Sequence, residues 1–420
     1  MPYFSFIKQQ YRALLFGFLF VFVGNYGQTF FISLFGAEWR HAFELTHQEL
    51  GLYYSLVTLA SGITLLFVGG KLDNASLKTF SLWILAGSFV GMILLATSAH
   101  IAVFLLGLLL IRFCGQGLST HTAFTSMARY FDQNRGKATS IAAMGMPIGE
   151  LILPIIAASL ILTFGWRYTW LSFAGFLILA LVPAILWSLK ADKFKSVLHS
   201  EKLPSTSNQN TSLNSVKKTS IDELDGQSHW TRSQVVKDWR FIAALVALMA
   251  PAVIITGLFF HQLYWAEQRG WSLTAMASSL SAYAITHALG SLYTGSLVDR
   301  IGAQRVLRLY LLPFVIALVG LLFDSYWGWL WFMTISGVSV GGSGPTFGAL
   351  WPDVYGTQFL GGIRAMVSGV MVISTSITPF VLGIFIDRGV SVLSIMLAML
   401  VYAAIAFMLC QVIYRNRAKV

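Results

Sequence analysis

The chain has 420 residues, of which 56% are hydrophobic and only 11% charged, with a formal net charge of +11. A soluble domain carries about 25% charged residues, and no soluble core could also take in 13 Trp, 15 Tyr and 32 Phe. This excludes a soluble protein. It also excludes nucleic-acid binding, because the basic residues sit in short loops between apolar runs, as membrane orientation requires.

A bilayer crossing needs about 20 apolar residues as a helix. Twelve such runs are expected, at 13–35, 49–69, 79–97, 101–127, 138–163, 168–189, 239–266, 274–298, 304–323, 326–350, 364–386 and 391–414, called spans 1 to 12 below. Span 1 is too long for a signal-peptide core and lacks a small-residue cleavage site, so it reads as a retained span. Cys114 and Cys410 lie in separate apolar runs and imply neither a disulfide framework nor a metal cluster.

Six spans precede residue 190 and six follow residue 238. The segment 190–238 contains STSNQNTSLNSVKK, which cannot bury a core and is expected to be a disordered linker. The expected domains are thus an N-terminal bundle at 1–189, the linker, and a C-terminal bundle at 239–420. On the linker side the termini and loops hold 23 Lys and Arg, and the opposite loops hold 4. That asymmetry places both termini and the linker in the cytoplasm. The sequons at Asn74 and Asn210 fall on the same side and are expected to stay unmodified.

The halves repeat. Gly69 and Asp73 follow span 2, and Gly295 and Asp299 close span 8, both at an offset of 226 residues. Gly136 and Gly362 share that offset. Two six-helix bundles in the same orientation imply a pseudo-twofold axis along the membrane normal. The expected fold class is therefore an all-α membrane protein of twelve transmembrane helices in two pseudo-symmetric bundles.

The loop after span 8 reads Gly295, Asp299, Arg300, Gly302 and Arg305, and the loop after span 2 keeps Gly69 and Asp73. With twelve spans and a central linker, this pattern resembles the major facilitator superfamily along the whole chain. A finer resemblance, to the monocarboxylate and oxalate/formate branch, rests on GQTFFISLF at 27–35, RYFDQNRGKA at 129–138, GWR at 165–167 and LGGIRA at 360–365. Members of that branch often carry a cationic residue in span 8; this span has no Arg or Lys and offers His287 instead.

Ionisable groups inside a bilayer cost about 2.5–3.5 kcal/mol or more, so each needs a reason. Arg112 in span 4 and Glu150 in span 5 lie roughly 16 and 18 Å from their span entrances at 1.5 Å per residue. Both are near the midplane on antiparallel neighbours, so they could pair. The pair reads either as a structural brace or as a site in which Arg112 binds an anion through its planar fork and Glu150 carries a proton. Arg112 resembles the Arg of the family's R-x-x-Q-G motif, and Gln116 shares its helix face.

Asn25, Tyr26 and Gln28 stand at similar depth in span 1, and Tyr283 and His287 share a face of span 8. These five are candidate cavity residues, and they also suit helix packing. His261 and Gln262 fit the wet headgroup zone better than an outer gate. Asp73 and Asp299 follow helix C-termini, which disfavour negative charge. Their expected partners are N-termini of the opposite half, after Gly136 and Gly362, forming a gating latch with Gly69, Gly295, Arg300, Gly302 and Arg305. Gly337, Gly341, Gly342, Gly344 and Pro345 mark span 10 as bendable, and Pro147 and Pro154 mark span 5 likewise.

No phosphate loop, metal spacing or nucleophile elbow appears, so neither a cofactor nor enzyme chemistry is expected. The reading is a monomeric secondary transporter in a bacterial inner membrane. It is expected to move a small organic anion, a carboxylate, across the membrane by alternating access in symport with H+. Two alternatives stand: efflux of an amphiphile with Arg112 only in coupling, and a non-transporting receptor or assembly factor on the same scaffold.

Overall fold

The structure, a computed structural model, describes residues 3–69, 72, 76–131, 134–191, 194, 230–356 and 359–414. These residues are almost entirely helical, with no strand among them. Twelve helical segments follow one another as the hydropathy pattern expects. Several run unbroken, such as span 2 (His47–Val68), span 3 (Leu77–Thr97), span 8 (Leu273–Ile301) and span 12 (Val392–Val412). Gly145–Phe176, covering most of span 5 and the start of span 6, runs as one helix except at Gly165, whose φ of 78° turns the chain back.

Eight continuous helical stretches are long and apolar enough to cross a membrane by composition alone, one of them covering spans 5 and 6 together. Spans 8 and 10 are too polar to qualify, carrying Tyr283, Thr286 and His287, then Gly337, Ser339 and Gly341. Span 2 adds Tyr54, Ser55, Thr58 and Ser61 to an otherwise apolar helix. Their composition follows from position: spans 2 and 8 bury one face against the opposite bundle, and span 10 packs along span 8. The lipid-facing helices show the reverse pattern, with large apolar side chains such as Trp83, Leu162, Leu179, Val401 and Met408 pointing outward. Such a surface is stable only in an apolar solvent.

Helix ends are satisfied locally. Thr46 and Glu49 form a reciprocal capping box at span 2, and Ser76, Ser272, Ser325 and Ser391 each accept from the backbone N–H three residues on. Each cap pairs a terminal donor that lipid could not.

Part of the expected disordered linker is ordered. Thr231 and Gln234 make a capping box for a helix at Arg232–Lys237, and the Trp230 N–H donates to the Tyr355 carbonyl at 3.1 Å. The Trp230 and Phe241 rings also pack on Tyr355. The polar composition of 205–218 does not extend to these aromatic and apolar residues. Residues 195–229, with the Ser/Asn-rich stretch, lie outside the described residues.

The helix of span 10 is continuous through its glycines. Tyr326–Tyr355 is one helix, and Gly337 and Gly341 let it lie directly on span 8. A Cβ at Gly337 would stand 2.6 Å from the Tyr283 carbonyl. Span 5 is interrupted at Met144, between helices Arg135–Ala143 and Gly145–Phe176, rather than at Pro154.

Candidate functional site

The site begins with a break in span 1. The first helix ends at Gly24, a single 3-10 turn covers Asn25–Gly27, Gln28 is extended (φ −79°, ψ 151°), and a short helix resumes at Thr29–Ile32. The local sequence dictates the break. Two glycines flank Asn25, and the Asn25 side chain competes with the helix for its own backbone. Its Nδ2 donates to the Phe22 carbonyl at 3.0 Å and to the Gly145 carbonyl of span 5, also at 3.0 Å. Asn25 is fully buried, and its role is to pin the break.

Opposite the break, span 4 winds as a π-helix over Ile111–Ser119. Such wide turns recur at functional sites. The two irregular segments meet closely: a Cβ on Gly27 would stand 2.6 Å from the Gln116 backbone N. Arg112 projects from the π segment and is buried. Its Nη1 donates to the Gly27 carbonyl at 2.7 Å, and its Cζ sits 4.8 Å above the Tyr54 ring of span 2. Its Nε has no partner.

Arg112 does not pair with Glu150. Depth along two neighbouring helices does not fix their rotation, and the wide π turn changes the face that Arg112 presents. Arg112 faces spans 1 and 2; Glu150 faces span 8 of the other half. There the Glu150 Oε2 lies 3.0 Å from His287 Nδ1, with side-chain exposures of 5% and 22%. The ring of Tyr283, itself buried, is 5.5 Å from that of His287. One turn away, Ser281 donates to the Leu151 carbonyl at 3.0 Å. The two protonatable groups expected at mid-depth therefore form one hydrogen-bonded pair across the bundle interface.

The other candidates divide. Gln28 and Gln116 are half-buried and make no side-chain hydrogen bond. Tyr26 turns away from the interface. Its ring packs on Phe31 and Phe173, and its hydroxyl is buried without a partner. It belongs to an aromatic core with Phe35, Trp39 and Trp170.

On the face opposite the linker, here the far face, the halves are closed on each other. Arg40 and Glu267 pair at 3.2 Å. Asp387, the last residue of the span 11 helix, accepts from the His47 N–H at 3.2 Å and the Gln48 N–H at 2.6 Å. Gln262 Nε2 donates to Ser33 Oγ at 2.7 Å and to the Phe30 carbonyl at 3.2 Å. Within the C-terminal half, His261 Nε2 donates to the Pro379 carbonyl at 2.9 Å, and the His261 ring faces that of His47 in span 2, with centroids 5.7 Å apart. His261 and Gln262 are buried rather than exposed at headgroup level; the helix is interrupted at His261. Between Ser33, Arg40, His47, Leu50 and His261 the remaining void is about 10 Å³, room for about one water.

The linker face differs. Asp299, Arg300 and Arg305 are exposed, and Asp299 makes no hydrogen bond or ion pair. A Cβ placed on Gly136 or Gly295 would meet nothing within 4 Å. Gly302 caps span 8 at φ 84°, ψ 150°, a conformation that side-chain-bearing residues rarely adopt, and donates to the Val298 carbonyl at 2.8 Å. Gly69 ends the span 2 helix near His121. Asp73 lies outside the described residues. In this structure Asp299 does not touch a helix N-terminus.

Tyr54, Thr29, Arg40, His47, Glu267 and Asp387 were not singled out by the sequence. Tyr54 is one of two adjacent tyrosines in span 2, with no signal to separate them. Asp387 ends span 11 as Asp299 ends span 8, and that parallel was the available clue.

Three comparisons bear on this site. The profile of the Major Facilitator Superfamily matches residues 14–279 and 241–419. The chain is 26% identical over 152 residues to monocarboxylate transporter 6 of Mus musculus, a match spanning 35% of this chain and 31% of that relative's length. Its fold is similar to crystal structures of a bacterial homolog of the human lysosomal transporter Spinster. The inward-facing, occupied form aligns with a TM-score of 0.63 at 15% identity, covering 98% of this chain and 97% of the other. The inward-facing, unoccupied form gives 0.60 at 15% identity, covering 98% of each.

Proposed function

This chain belongs to the Major Facilitator Superfamily, and we propose that it is a secondary active transporter that moves a small organic anion, a monocarboxylate, with one proton by alternating access. The observation that carries this is Arg112: a buried guanidinium at mid-depth with no carboxylate partner among the described residues. An arginine so placed is half satisfied by a single carbonyl. A carboxylate reaching it would take the free Nε and displace or share the Gly27 bond, and a planar fork suits that geometry. The partial likeness to a protein named monocarboxylate transporter supports the same substrate class.

Charge counting supplies the coupling. With Glu150 ionised and His287 neutral, the empty site sums to zero with Arg112. A monovalent anion alone leaves it at −1, which is costly to carry through a low-dielectric barrier. One proton on the Glu150–His287 pair restores neutrality. The pair joins the two halves, so a change in its charge acts at the interface that must move. The cycle then carries one proton per anion and is electroneutral. The loop charge bias supports cytoplasmic termini, and a bacterial inner membrane is the proposed location. Both halves of the site lie in one chain, so a monomer suffices.

Reconstituted protein tested with lactate, pyruvate, acetate and benzoate, with and without an acid-outside gradient, checks this reading. At least one is expected to bind and to accumulate with the gradient. Loss of a buried charge-assisted hydrogen bond is worth about 1.5–3 kcal/mol, so Arg112→Gln should weaken binding roughly 10- to 150-fold, with Arg112→Lys in between. Unchanged affinity in Arg112→Gln removes Arg112 as the anion anchor.

A further inference from the structure

Tyr54 touches Arg112, Thr29 (the first residue beyond the break in span 1) and the opposite bundle. It is buried in span 2, at 1% exposure. Its ring carries the Arg112 guanidinium at 4.8 Å. Its hydroxyl is 2.7 Å from Thr29 Oγ1, at the first residue of the short helix beyond the break. The same ring packs against Phe260 of span 7 with centroids 4.5 Å apart.

The neighbours of these contacts belong to the far-face closure. Thr29 precedes Phe30, whose carbonyl accepts from Gln262, and Gln262 also binds Ser33. Phe260 precedes His261, whose ring faces that of His47 at the start of span 2, with centroids 5.7 Å apart. A displacement of Arg112 changes the support under the Tyr54 ring. A displacement of Tyr54 changes the anchoring of Thr29 and the packing under Phe260. The path is a chain of direct contacts three residues long, from Arg112 of span 4 through Tyr54 of span 2 to Thr29 of span 1 and, across the interface, Phe260 of span 7.

We propose that Tyr54 is a positioning residue that links the state of Arg112 to closure of the far face: its ring holds the guanidinium, and its hydroxyl holds the segment of span 1 that the opposite half grips. This deepens the proposed transport reading, yet the linkage is a property of the empty protein and does not depend on which anion binds. Anion binding at Arg112 and far-face opening are then thermodynamically linked, each altering the other by the same factor.

The test is a double-mutant cycle on full-length protein in liposomes without substrate. The reporter is Leu50→Cys, at a buried position against the far-face void, read by the labelling rate of a membrane-impermeant maleimide from the far side. The native Cys114 and Cys410 are both buried. Tyr54→Phe keeps the ring and loses one hydrogen bond, and should raise labelling roughly 2- to 10-fold. Thr29→Val removes the same bond from its other end and should match it; it also serves if Tyr54→Phe does not fold. Arg112→Gln should raise labelling too. Combined with Tyr54→Phe, it should give less than the product of the two single effects, because the two changes cut one path. Thermal midpoints should not follow this non-additivity, which separates linkage from a general loss of stability. Multiplicative effects, or unchanged labelling in both Tyr54→Phe and Thr29→Val, overturn the linkage. Loss of anion binding in Arg112→Gln with a multiplicative cycle leaves the transport reading standing and rejects only the role of Tyr54. A non-additive cycle without any anion binding does the converse.

Discussion

At the far face, an aspartate at the end of span 11 sits on the first backbone N–H groups of span 2. At the linker face, an aspartate near the end of span 8 is exposed and unpaired. Both residues follow the same logic. A carboxylate at a helix C-terminus is disfavoured by its own helix and is stabilised by the N-terminus of a helix in the other half. In this structure Asp387 has found that partner and Asp299 has not. The comparison teaches that a latch of this kind need not hold the molecule in one state. We propose that two of them, at opposite ends of a pseudo-symmetric pair of bundles, are engaged in turn. Each contact is weak enough to be exchanged during a cycle.

Breaking the engaged latch should have the larger effect. Asp387→Ala removes two hydrogen bonds and a charge–dipole contact, together about 1–2 kcal/mol at a partly exposed site. Far-face labelling of a gate cysteine should rise roughly 5- to 30-fold. The Arg40–Glu267 pair remains and limits the effect, because exposed pairs contribute about 0.2–1 kcal/mol. Unchanged labelling would mean that Asp387 caps span 2 without holding the gate.

Breaking the released latch should do less and act in the opposite sense. Asp299→Asn costs nothing in the state seen here, where Asp299 has no partner. It weakens only the state in which the linker face is closed, by about 0.3–1 kcal/mol. Far-face labelling should therefore fall, at most about fivefold, and linker-face labelling should rise correspondingly. A rise in far-face labelling would contradict the assignment of Asp299 to linker-face closure.

The spans were legible because a bilayer allows a backbone few alternatives, and a continuous apolar run announces a helix. The Gly and Asp repeat at an offset of 226 residues gave the two-bundle plan. Arg112, Glu150 and His287 were legible as singular ionisable groups in apolar runs. Their partners were not. Pairing depends on the rotation of each helix about its axis. The break at Asn25 and the π segment at Ile111–Ser119 change that rotation through backbone hydrogen bonds that hydropathy does not register. Arg112 accordingly meets a carbonyl of span 1, and Glu150 meets a histidine 137 residues away. The contact of Asp387 with span 2, over more than 300 residues, and the position of Tyr54 between three elements are properties of the assembled interface alone.

The central claim is that the Glu150–His287 pair carries the proton that accompanies the anion held by Arg112. Glu150→Gln tests it most directly, because the amide keeps the shape and a hydrogen-bond partner for His287 but cannot exchange a proton. In proteoliposomes loaded with a transported monocarboxylate, the account predicts that Glu150→Gln retains anion–anion exchange close to the wild-type rate and loses accumulation driven by a pH gradient. Accumulation against a concentration gradient that persists in Glu150→Gln would contradict it and would move the proton from this pair to another group.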